Sequence, residues 1–185
     1  MSGMKATASG RCDLDGLSVT DAILLGNASD YLIEPHFQGG VWRYAAVQLG
    51  AMQALTSITA TQLQQRGQTN APPQSMRLRR MVTACETARL WVRNAARVIE
   101  RPRATAADIP CAILTRIVVA DEAVALMTAM DQALGAASFA TAHPADRIRR
   151  DLQFYIRQAN PDGMAQAAVE RILTDPDLSR RWWLE

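Results

Sequence analysis

The chain has 185 residues, 49% of them hydrophobic, and twenty basic side chains against eighteen acidic ones give a formal charge of +2. That is enough chain to bury the core of one domain, too apolar for disorder, and too nearly balanced in charge to carry a nucleic-acid footprint. Cys12, Cys85 and Cys111 lie far apart without metal-ligand spacing, and no stretch reads as a signal peptide or an apolar run of membrane length; a soluble protein of the reducing cytoplasm is expected.

Residues 1–26, MSGMKATASGRCDLDGLSVTDAILLG, place glycines at short intervals among β-tolerant residues, with a turn near Asp15-Gly16. This pattern predicts one or two short strands, which need a partner because an isolated hairpin is barely stable. A connector follows, where Pro35 and the Gly39-Gly40 pair are expected to delay the start of a helix.

After Gly40 helical periodicity dominates. The first long helix is expected from Val41 to Gln65, with Tyr44, Val47, Ala51, Leu55 and Ile58 on one face and Arg66-Gly67 as its stop. The second, about Gln74 to Glu100, carries Leu78, Val82, Cys85, Ala88, Val92, Ala95 and Ile99 on one stripe, and Pro102 ends it. A capping pattern at Thr105 to Asp108 opens the third, which runs through Ile113, Ile117, Ala120, Val124 and Met127 to Leu134. His143-Pro144 starts a fourth through Ile148, Leu152 and Ile156, and Asn160-Pro161 starts a fifth to about Leu173. Short loops between long helices require antiparallel neighbours. The fold class is therefore all-α, an up-and-down antiparallel four-helix bundle with a short β segment at its N-terminus. The tail, residues 176–185, ends in Trp182-Trp183 beside arginines, suited either to packing on the bundle or to a subunit contact.

The stretch from Asp131 to Asp162 holds the corner most suited to a ligand. A helix breaking at Gly135, a loop of small residues and a new helix whose first amides lack partners together favour close approach of an anion, although any two helices are joined in a similar way.

The order of motifs resembles the C-terminal part of the acyl-CoA dehydrogenase family. SGMKATASGRCDLDGLSV (residues 2–19) is similar to its last β-domain strands. EPHFQGGVWRYAAVQLGAMQAL (residues 34–55) is similar to the approach to its first bundle helix, DQALGAAS (residues 131–138) to its Gln-x-x-Gly-Gly-x-Gly loop, and RIRRD (residues 147–151) to its Arg-Asp pair. The resemblance divides the chain into the end of a β-domain with its connector (1–38), a helical bundle (39–175) and a tail (176–185). It implies FAD as cofactor, with Arg66 and Gln132 reaching the adenine-pyrophosphate half, Gly135 allowing backbone approach, and Arg150 and Asp151 forming a structural ion pair. A guanidinium suits pyrophosphate because its fork binds two oxygens at once. On the residues alone, Arg66 also reads as a cation complementing a helix dipole and Gln132 as part of a solvated face.

The chain departs from the family at Ala136 and Ser138, where glycines are usual. It departs further at the usual glutamate base, whose position falls on Ala159. No carboxylate stands at the alternative base position near Val41 and Trp42, and Asp162, a helix-first-turn acid, is the nearest substitute. The resemblance also implies a homo-oligomer, dimer or tetramer, or a companion chain supplying the layers that enclose the flavin. The contrasting expectation is a non-catalytic helical-bundle interaction protein.

Overall fold

The computed structural model describes residues 3–18 and 25–183. Seven α-helices occur among the described residues: α1 His36–Gly39, α2 Trp42–Gln65, α3 Pro72–Ile99, α4 Ile109–Leu134, α5 Pro144–Tyr155, α6 Pro161–Thr174 and α7 Pro176–Trp183. The boundaries follow local chemistry. At the end of α2, Gly67 takes a φ of 64°, its N–H donates to the Gln64 carbonyl at 3.0 Å, and the Gln68 N–H reaches back to Leu63 at 2.8 Å. This paired closure satisfies carbonyls that the helix end would leave bare. Thr105 and Asp108 form a reciprocal capping box ahead of α4, whose first turn contains Pro110. His143 Nδ1 accepts the Ala145 N–H at 3.2 Å and so caps α5, and Asn160 Oδ1 accepts the Gly163 N–H at 3.3 Å at the start of α6.

Helices α2, α3 and α4 pack side by side, α5 lies along α2 and α4, α6 covers the first half of α4, and α7 rests on α6. The main core joins Met52 and Leu55 of α2, Met81 and Val92 of α3, Leu126 and Met130 of α4, and Leu152 of α5. Each such fully buried side chain contributes about 1.5–3 kcal/mol through lost apolar exposure. A second, smaller cluster gathers Val41, Ile99, Ile109, Ile113 and Ala168 where α1, α4 and α6 meet. Helix α4 is buried on nearly every side, which makes it the central rod.

The all-α antiparallel bundle is therefore as expected, but the N-terminal β segment is not. Among the described residues no strand occurs; Lys5–Thr7 form a 3-10 turn, and residues 19–24 of the expected segment lie outside the described residues. A strand needs an edge to pair with, and the nearby surface is helix: the Met4 N–H donates to Asp151 Oδ1 at 2.6 Å, a side-chain contact in place of a ladder. Helix also begins in the connector, earlier than expected, although α2 itself starts at Trp42. Glu34 accepts the Gln38 N–H at 3.1 Å and nucleates the one-turn α1 ahead of Gly40. Finally, the tail forms α7, started by Asp175, whose carboxylate accepts the Asp177 and Leu178 N–H groups at 2.9 and 3.2 Å.

The expected apolar face of α2 is turned by about one residue. Tyr44 and Val47 are 45% and 62% exposed, while Ala45, Gln48, Met52, Leu55, Thr59 and Leu63 face inward. The structure prefers small and flexible side chains against α4 and places a glutamine among them. On α3 the shift is confined to the first half, where Met81 and Ala84 turn inside and Val82 is 57% exposed, while Ala88, Val92, Ala95 and Ile99 are buried as expected.

Candidate functional site

Two ends of the bundle carry chemistry. At the first, α2 and α4 finish while α3 and α5 begin, so Arg66, Gln132, Gly135 and His143, remote in sequence, share one end. Two contacts tie that end together: the Gln74 amide donates to the Ala133 carbonyl at 3.3 Å, and the Gln62 amide meets His143 Nε2 at 2.8 Å. Gly135 has φ 71° and ψ −164°, a conformation that essentially only glycine adopts. Open space lies where its Cβ would stand, so a ligand can approach the backbone closely.

The loop that follows is held by charge. Ser138, fully buried, donates to the Gly135 carbonyl at 2.9 Å and to Asp131 at 3.4 Å. Arg149 reaches Asp131 at 3.3 Å and Asp146 at 3.2 Å and lies 3.7 Å from the centroid of the Phe139 ring. Hydrogen bonding from Arg150, opposed by burial and helped by Arg149, holds the Asp146 carboxyl below its ordinary value. Ser138, which occupies a position where glycine was expected, thus serves as a lock on the turn.

The expected ligand residues differ in what surrounds them. Arg66 is exposed, with Gln62 Oε1 3.5 Å from its guanidinium. Gln132 is exposed beside a groove of about 660 Å³ between α3 and α4 that also carries Arg77, Arg79 and Arg80. Arg66 lies toward α5 and Gln132 toward α3; the fold gathers the backbone positions at one end without joining the two side chains. Arg150 and Asp151 turn apart, the arginine to Asp146 at 2.9 Å and the aspartate to the Met4 amide at 2.6 Å. Adjacent helical residues point about 100° apart, whereas residues four apart face each other.

At the opposite end, a cleft of about 1040 Å³ opens between α1, the start of α2, α4 and the start of α6. Ala159 lines it; Asp162 is exposed on the first turn of α6 and lies outside the lining. Ala159 and Asn160 have φ of 56° and 49°, and two successive non-glycine residues in the left-handed region are costly enough to mark a site under constraint. Asp30 is the sole acid among the described lining residues, and the Asn27 N–H donates to it at 2.7 Å.

Arg116 forms the floor. It is 2% exposed, with its guanidinium 5.4 Å from the Tyr44 ring centroid. It donates to the Gln158 carbonyl and to Met164 Sδ, the latter at 3.6 Å. Burial pushes it below its ordinary value, opposed by Tyr44 and Tyr155. Sequence periodicity did not single it out, although a lone charge within ILTRIVVA was the available signal.

The described residues thus form an antiparallel helical bundle with a glycine-opened corner at one end and a large cleft at the other. Residues 31–156, well over half of the chain, match the family described as Acyl-CoA dehydrogenase, C-terminal domain. The chain belongs to that family. Neither a curated protein nor a solved structure matches it.

Proposed function

We propose that this chain is the helical-bundle part of an acyl-CoA dehydrogenase-like, FAD-dependent oxidoreductase of the cytoplasm, with residues 39–175 as its working unit. Further layers over the flavin come from another copy or a companion chain. The observation that carries this reading is that the backbone positions of Arg66 and Gln132 and the open backbone at Gly135 share one end of the bundle. These residues fit a dinucleotide: an exposed guanidinium for pyrophosphate oxygens, an amide able to donate and accept, and backbone that a phosphate can approach without meeting a side chain. FAD supplies the acceptor for the substrate's two electrons. The chain's own residues hold and orient the adenine-pyrophosphate half of an FAD seated mainly in a neighbouring copy, while the cleft, about 36 Å away along the 24-residue α2, takes the substrate of a separate site.

We assign proton removal to no carboxylate of the described cleft lining. Ala159 has no acceptor, and Asp30 is exposed and committed to Asn27. The test is the flavin spectrum of the chain expressed together with the products of its flanking reading frames. The reading predicts stoichiometric bound FAD in the assembly; an assembly that stays colourless with excess FAD contradicts it.

A second reading, a non-catalytic bundle that binds partners, draws on the same lack of a base and on Met76, Val82 and Leu90, apolar and exposed along α3. A stable assembly without flavin favours it.

A further inference from the structure

The cleft holds a positive charge that no side chain among the described residues pairs with. Arg116 is 98% removed from solvent, yet no acidic side chain pairs with it among the described residues, and its Nε–H is buried without an acceptor. A buried ion without a partner is strongly unfavourable, and one carbonyl, one thioether and one aromatic face offset only part of that cost. Its neighbours Tyr44 and Met164 both line the cleft, as does Arg116 itself, so the charge sits at the floor of an open cavity.

We propose that the cleft binds an amphiphilic carboxylate, its head group on Arg116 and its apolar body along Ile33, Phe37, Ile113 and Met164. This rests on the reading of the cleft as a substrate site and names the substrate class. Among the described lining residues the other arginine, Arg43, is paired with Glu100 at 2.6 Å, and the one acid, Asp30, accepts the Asn27 N–H and forms no ion pair with Arg116; Arg116 is the unpaired arginine there, and one charge matches a monoanion better than a phosphate dianion. A planar carboxylate also matches the fork geometry of a guanidinium. The lining residues Ile33 and Phe37 are 56% and 40% exposed in this chain alone, apolar surface that an aliphatic or aromatic body covers.

The test titrates octanoate against octanamide, equal in shape and different in charge, following heat released and thermal unfolding without added FAD. Octanoate is expected to bind at least tenfold more tightly than octanamide. Arg116→Met removes that preference, and Arg116→Lys retains part of it. Equal binding of the two probes, binding of neither, or an octanoate preference that survives in Arg116→Met overturns the inference. The unsubstituted protein alone decides the first two outcomes, so a variant that fails to fold does not block the test. A colourless assembly with intact octanoate preference removes the flavoprotein reading and leaves the carboxylate site; bound flavin with no preference does the reverse.

Discussion

Single buried groups decide more here than their number suggests. Gln48 is fully buried in α2, and both polar atoms of its amide lack hydrogen-bond partners. Replacing it with methionine, of similar volume, is expected to raise stability by about 1–2 kcal/mol, since the desolvation cost disappears; urea denaturation measures it, and a loss of stability shows that the amide has partners in solution. Asp108 is the opposite case. Burial raises its pKa, but the Thr105 amide, Arg181 and Arg101 outweigh this and hold it below its ordinary value, with Arg101 and Arg181 at 2.7 and 2.9 Å. A depressed carboxyl stabilises the fold fully above its unfolded pKa of about 3.9, and that stability fades as pH falls through the lower folded value. Asp108→Asn is expected to cost about 1–3 kcal/mol at neutral pH, discounted for half-exposed arginines, and to flatten the acid limb of a stability-against-pH curve. Gln48 and Arg116 were illegible as buried residues because periodicity counts apolar positions, and each is a polar residue sitting on an inward face. The helix ends at Arg66 and Gly135 were legible because a helix stop and a glycine are local signals.

Among elements, the helix ends were read closely and the helix faces less so. Thr105, Asp108, Asn160 and Gly67 act through contacts within a few residues, so sequence carries the whole cause. The inward face of α2 depends on what α4 and α5 present, and that information is not in α2; hence Tyr44 faces the cleft, Val47 is exposed and Gln48 is buried. Among the described residues the N-terminal segment forms no strand for the same reason, since β-tolerant residues become a strand only beside an edge. The turn from α4 to α5 gives an element-scale prediction. Gly135→Ala meets no steric obstacle but must adopt φ 71° with ψ −164°. Such strain costs about 1–3 kcal/mol, seen as a lowered unfolding midpoint, and shifts the 3-10 turn that Ser138 and Arg149 hold in place. An unchanged midpoint shows that the turn relaxes elsewhere.

For the molecule as a whole, antiparallel connectivity converts four distant sequence positions into one end and leaves a cleft at the other. No helix among the described residues is long and apolar enough to cross a membrane, and Met76, Val82 and Leu90 leave apolar side chains exposed along α3. The division of labour proposed here gives the corner to FAD and the cleft to an acidic substrate, and the two ends can be tested separately. The most direct measurement is the FAD dissociation constant of the assembled protein against its Arg66→Gln variant at fixed ionic strength. A charge-assisted bond to pyrophosphate contributes about 1.5–3 kcal/mol, so the variant is expected to bind FAD at least tenfold more weakly. An identical constant, or no flavin bound by either, contradicts the account.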